Sequence, residues 1–77
     1  MKLKISPAIA AEWDTRCIGE VVPALADIDY HNGAIEVSSE AAAEIAADCA
    51  FYIDPKAVDA TAGERAAYRA LLRQIAL

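Results

Sequence analysis

The sequence is short of most residues that would mark a particular chemistry. Its 77 residues include three glycines, three prolines, two cysteines and one histidine. A zinc cluster or a glycine-rich phosphate loop needs these residues at a closer spacing than the chain provides. A catalytic cysteine–histidine pair is not expected either, because both cysteines are predicted to face inward. We therefore expect no enzyme active site, no metal centre and no cofactor.

Long apolar runs are also missing. No run approaches the roughly 20 residues of a membrane span, and the opening residues lack the apolar stretch of a signal peptide. These features predict a cytoplasmic protein, and the net charge of −5 disfavours binding to anionic membrane surfaces.

Bulky apolar side chains are few. Hydrophobic residues make up 57% of the chain, but 19 of them are alanine. The length supports a single domain over residues 1–77. Because its core would be small, we expect a second copy or another protein to contribute stability.

Local patterns predict an α+β fold that begins with a strand and a helix. Lys2–Ile5 alternates polar and apolar residues, as a short strand does. Ser6-Pro7 is typical of a helix start, and the apolar spacing that follows predicts a helix ending near Gly19. Cys17 on this helix and Cys49 on a later one are both predicted to be buried. The stretch 20–26 fits a loop or a short helical turn.

The middle of the chain predicts a β-hairpin. Asn32-Gly33 favours a two-residue turn, with residues 26–30 and 34–37 as its strands. This register places Tyr30 opposite Ile35, and Asp29 opposite Glu36.

Two helices are predicted in the C-terminal half. Ser38 is a typical cap for a helix that ends near Ile53, and Thr61 with Glu64 forms the pattern of a capping box for a second helix. We therefore expect a short strand and a β-hairpin packed on an N-terminal helix and a C-terminal antiparallel helix pair.

Charge is distributed unevenly. The net charge is −5, and residues 17–54 contain eight acidic residues but no Lys or Arg. This balance argues against direct binding of nucleic acid. On the predicted helix that follows Ser38, the acids recur at four-residue spacing and share one face. We define the acidic strip as Asp27, Asp29, Glu36, Glu40, Glu44 and Asp48.

The acidic strip has a functional and a structural interpretation. Carboxylates about 6 Å apart along a helix resemble the charge density of a nucleic-acid backbone, so the strip could bind a basic partner, with Phe51 as an exposed contact. In the structural interpretation the acids form an ordinary solvated face or salt bridges across an antiparallel helix pair. Such salt bridges would match Glu40 with Arg73, Glu44 with Arg69 and Asp48 with Arg65.

Other chemistry has little support in the sequence. His31 lies beside the predicted turn, where turn geometry explains it. Asp27, Asp29, His31 and Glu36 could supply ligands to a divalent ion, which keeps a small metal-dependent enzyme as a third class. The pattern lacks the glycine and the terminal glutamate of a calcium-binding EF-hand loop.

The stretches FYIDPKA (51–57) and GERAAYRALLRQ (63–74) resemble small proteins of bacteriophages and prophages. Small acidic phage proteins include anti-CRISPR proteins, some of which imitate nucleic acid on CRISPR surveillance complexes. The resemblance implies a phage-encoded, non-enzymatic inhibitor that blocks a basic nucleic-acid-binding protein or complex. The alternative is a self-associating structural or accessory phage protein without mimicry.

Overall fold

A computed structural model describes residues 1–76 and shows an α+β domain with four α-helices and a two-stranded antiparallel sheet. A short 3₁₀ turn (Pro23–Leu25) follows the second helix. The elements are β1 (Lys2–Lys4), α1 (Pro7–Arg16), α2 (Ile18–Val21), β2 (Ala34–Glu36), α3 (Ser39–Ile53) and α4 (Ala62–Ile75).

Helix α1 begins as predicted but ends earlier. The Ser6 side chain accepts a hydrogen bond from the Ile9 amide, and Pro7 occupies the first turn. The helix ends at Arg16 because Cys17 adopts the left-handed conformation, with φ at 52°. The prediction of a helix end at Gly19 was wrong, since Gly19 lies inside α2.

Gly19 has a packing role instead. A Cβ atom at this position would lie 2.8 Å from the Cα of Ala26. The close approach of two backbones, rather than a turn, explains why glycine fits here. It brings the 3₁₀ turn and the loop that follows it against α2.

The predicted β-hairpin was wrong. Strand β2 pairs with β1, with Leu3 opposite Ile35, and residues 28–30 form no strand. Consequently, Asp29 is not opposite Glu36 in a sheet.

The physical reason for this error lies at the turn. Gly33 has φ at 86°, but within residues 1–76 Cys17 is the only non-glycine residue with positive φ. Asn32 therefore does not adopt the conformation that the hairpin turn needs. Instead, the Asp29 carboxylate accepts hydrogen bonds from the His31 amide and the Asn32 side chain, and this side-chain turn redirects the backbone.

The two C-terminal helices form as predicted. Ser38 caps α3 by accepting a hydrogen bond from the Ala41 amide, and the Thr61–Glu64 capping box of α4 is complete. The two helices pack against each other. The sheet joins this pair because the Gln74 side chain exchanges two hydrogen bonds with the backbone of Lys4.

The core lies between the sheet and the helices. Cys49 is buried as predicted, and burial raises the pKa of its thiol to about 12. Cys17 is exposed, so its predicted burial was wrong, because the helix ends before this side chain turns inward. The most deeply buried side chains are Trp13, Tyr68, Leu3, Ile9, Leu25, Ile45, Leu71 and Cys49.

Candidate interaction surface

Six of the seven residues proposed to bind a partner lie at the surface. The exposed ones are Asp27, Asp29, Glu36, Glu40, Glu44 and Phe51. The exception is Asp48, whose side chain is only 10% exposed. The acidic strip is therefore shorter than the sequence predicts.

Asp48 is removed from the strip by Arg16. The two guanidinium nitrogens of Arg16 bind the two carboxylate oxygens of Asp48 at 3.0 and 2.5 Å. This two-point geometry is the strongest that an arginine and a carboxylate form. The predicted pairing of Asp48 with Arg65 was wrong because α1, not α4, supplies the partner.

Arg16 also contacts two aromatic rings. Its guanidinium carbon lies 3.8 Å from the centre of the Tyr52 ring, and it donates a hydrogen bond of 2.9 Å to the Tyr68 hydroxyl. That hydroxyl in turn donates to Glu12. Burial alone would lower the pKa of Arg16, but the hydrogen bonds with Asp48 and Tyr68 outweigh it and raise the pKa above its ordinary value.

The outer face of α3 carries the remaining acids of the helix. Glu40, Glu44, Ala47 and Phe51 follow one another at spacings of four, three and four residues, so they form one stripe. All four are exposed, and Phe51 is 54% exposed. In the described part of the chain, no salt bridge joins Glu40 or Glu44 to Arg73 or Arg69, so the intramolecular pairs that the structural interpretation expects are not formed.

Glu36 extends this charge beyond the start of α3. It ends β2, and its side chain is 76% exposed, with one carboxylate oxygen 3.5 Å from the amino group of Met1. We call Glu36, Glu40, Glu44 and Phe51 the acidic face. Asp27 is also exposed, but it lies in the loop before β2.

Asp29 belongs to a different cluster, centred on His31. The Nδ1 atom of His31 lies 3.3 Å from Asp29, and its Nε2 atom lies 2.8 Å from Asp14. Tyr30 donates a hydrogen bond of 2.7 Å to the same Asp14 carboxylate. The Asp29 carboxylate therefore lies next to an imidazole ring that carries the opposite charge when it is protonated.

The pKa values in this cluster are coupled to its hydrogen bonds. The Asp14 contact raises the pKa of His31 above its ordinary value, and the His31 and Tyr30 contacts lower the pKa of Asp14. Burial and the Asp14 carboxylate raise the pKa of Tyr30 to about 12. Sequence reasoning missed this cluster because Asp14 and His31 are 17 positions apart and no local pattern links them.

Two shallow clefts adjoin the cluster. One, of about 490 Å³, lies beside α2, and the other, of about 340 Å³, lies beside the start of α1. Asp14, Tyr30 and His31 line both. Across residues 1–76, no three His, Cys, Asp or Glu side chains are arranged to hold a metal ion, so the candidate ligands Asp27, Asp29, His31 and Glu36 are not brought together.

None of the helices within residues 1–76 has the length and apolar character needed to cross a bilayer. No known protein family, curated protein or solved structure matches the chain.

Proposed function

We propose that this domain is a non-enzymatic interaction protein whose acidic face binds a basic surface of another protein. The observation that carries the proposal is the stripe on α3. Glu40, Glu44 and Phe51 are exposed along one line, and residues 17–54 contain no Lys or Arg.

The chemistry of the acidic face suits such a partner. Exposed carboxylates act mainly through long-range attraction, which speeds association and weakens as salt rises. Phe51 adds an apolar anchor at the end of the stripe, and aromatic residues, Phe included, are enriched at the centres of protein interfaces.

The partner that fits this charge pattern best is a protein that normally binds nucleic acid. Carboxylates one helical turn apart, about 6 Å along the axis, offer a lysine- and arginine-rich groove some of the charge of a phosphate backbone. In the narrower form of the proposal, the protein is a phage-encoded inhibitor of a CRISPR surveillance complex and acts in the cytoplasm of the bacterial host. This form depends on the resemblance to small phage proteins that the sequence of residues 51–57 and 63–74 suggests.

The test is competition between this protein and target DNA for a purified surveillance complex. We expect the protein to reduce DNA binding at low salt and to lose this effect at high salt. The double variant Glu40→Lys with Glu44→Lys should fail to compete. Glu20→Lys with Asp59→Lys makes the same change in net charge at two exposed acids outside the acidic face and should still compete.

Two results would overturn parts of the proposal. If the double variant Glu40→Lys with Glu44→Lys competes as strongly as the natural chain, the acidic face is not the binding surface. If the natural chain fails to compete on surveillance complexes, the narrower form fails. The broader form would then be tested by capture on immobilised basic DNA-binding proteins with the same variants, and equal capture of the natural chain and the double variant would exclude it.

A further inference from the structure

A second exposed stripe lies on α4 and has the opposite charge. Ala62, Ala66, Arg69 and Arg73 are all exposed. They follow at spacings of four, three and four residues, which places them on one face of the helix. This is the same spacing as Glu40, Glu44, Ala47 and Phe51 on α3.

The two stripes match when the helices are set antiparallel. If Arg73 is placed opposite Glu40, then Arg69 falls opposite Glu44, which gives two pairs of opposite charge. In the same register Ala66 falls opposite Ala47, and Ala62 falls opposite Phe51. The large Phe51 ring thus lies opposite the small Ala62 side chain, and each glutamate lies opposite an arginine. The two surfaces are therefore complementary in shape and in charge.

One molecule cannot make this contact with itself. Within the chain, α3 and α4 contact each other through other residues, including the stacked rings of Tyr52 and Tyr68, whose centres are 4.9 Å apart. Both outer stripes remain exposed at the same time. The surface that complements the α3 stripe is therefore available only on another molecule.

We propose that the occupant of the α3 stripe is the α4 stripe of a second copy of this chain. Each molecule carries both stripes, so the contact either closes a two-fold dimer, when both stripes of each copy are used at once, or extends as a chain or a ring. The contact is small and depends on exposed ion pairs, so the association is weak and sensitive to salt.

The inference shares the acidic face with the proposed function but does not depend on a foreign partner. A second copy and a basic partner would compete for Glu40 and Glu44. Self-association would cover the acidic face at high protein concentration and release it on dilution.

Charge reversal with rescue tests the contact. Sedimentation velocity over a range of concentrations should show self-association of the natural chain. Glu44→Arg alone and Arg69→Glu alone should each weaken it about fivefold, since each replaces an attraction with a repulsion. The double variant, Glu44→Arg with Arg69→Glu, should restore it, because the pair is re-formed in the opposite sense.

A disulfide trap checks the register. In a Cys17→Ser background, Ala47→Cys with Ala66→Cys should form covalent dimers and larger species under mild oxidation. Ala50→Cys with Ala66→Cys is the matched control, because Ala50 is also exposed but lies on another side of α3, and it should cross-link less.

The outcomes separate this inference from the proposed function. Arg69→Glu should weaken self-association about fivefold and leave binding to a basic partner intact, whereas Glu44→Arg should weaken both. A natural chain that stays monomeric at millimolar concentration, a double variant without rescue, or equal cross-linking in the control would overturn the self-docking proposal while leaving the proposed function standing.

Discussion

At the scale of single residues, the contact with Arg16 keeps Asp48 away from the exposed surface. The Arg16 side chain is 13% exposed, and it binds Asp48 at two points while lying over the Tyr52 ring. A mostly buried ion pair is tolerated only when both partners are satisfied in this way. Arg16 therefore joins α1 to α3 and takes one carboxylate out of the acidic strip.

Removal of Asp48 should destabilise the fold. Asp48→Ala leaves the Arg16 guanidinium largely buried without its counter-charge, and we expect a loss of about 3 kcal/mol in the free energy of unfolding. Urea denaturation followed by circular dichroism measures this change. Glu44→Ala, on the exposed face of the same helix, should stay within about 0.5 kcal/mol of the natural chain. Equal losses for the two variants would contradict the structural role given to Asp48.

His31 gives the fold a defined pH dependence. Its pKa is raised above the ordinary 6.5, so the stabilisation it provides is complete below pH 6.5 and is lost as pH rises through the raised pKa. The pKa of Asp14 is lowered below the ordinary 3.8, so its contribution is complete above pH 3.8 and is lost as pH falls through the lowered pKa. The pair should therefore stabilise the domain most between these two ordinary values.

An NMR titration of the His31 ring checks this prediction. The midpoint in the natural chain should lie above 6.5, and Asp14→Asn should move it downward because the main hydrogen-bond partner loses its charge. Asp59→Asn, an exposed change elsewhere, is the control and should leave the midpoint in place. A midpoint that does not respond to Asp14→Asn would show that the two side chains are not paired in solution.

At the scale of elements, the connection between α1 and the 3₁₀ turn depends on two unusual positions. Cys17 ends α1 with a left-handed backbone, and Gly19 lets α2 approach Ala26 closely. The chain reverses here over only a few residues. Glycine is needed at position 19 because there is no room for a side chain, and not because the backbone adopts a conformation that other residues avoid.

Alanine at two glycine positions should have opposite effects. Gly19→Ala places a methyl group 2.8 Å from the Ala26 backbone, and we expect a loss of about 1 to 3 kcal/mol. Gly63→Ala lies in the first turn of α4, where the nearest atom would be 3.9 Å away. It should gain about 0.5 to 1 kcal/mol, because alanine favours helix and restricts the unfolded chain. Thermal unfolding of the two variants shows whether each one is more or less stable than the natural chain. A Gly19→Ala variant as stable as the natural chain would contradict the close packing.

At the scale of the whole molecule, charge is separated between two outer faces. The α3 stripe carries acids and the α4 stripe carries arginines, while the net charge stays at −5. In the two proposals above, the acidic face attracts a basic partner and also the α4 stripe of a second copy. Under these proposals, protein concentration and salt act on the same surface.

The features that sequence predicted are those set by neighbouring residues. The starts of α1, α3 and α4 depend on a cap and the residues three positions later, and Ser6, Ser38 and Thr61 all cap as expected. The hairpin prediction failed because Asp29 offered the backbone a competing side-chain turn. The placement of Asp48 failed because its partner, Arg16, is 32 positions away.

The pairing of β1 with β2 affects how fast the domain forms. Leu3 and Ile35 are 32 positions apart, whereas the strands of a hairpin at Asn32-Gly33 would be neighbours in sequence. A local hairpin closes in about 1 to 10 μs, but this sheet must first bring together the ends of a long intervening segment that includes α1 and α2. The sheet therefore raises the contact order of a mostly helical chain and slows its folding. During synthesis β1 leaves the ribosome without a partner and waits until β2 has followed it.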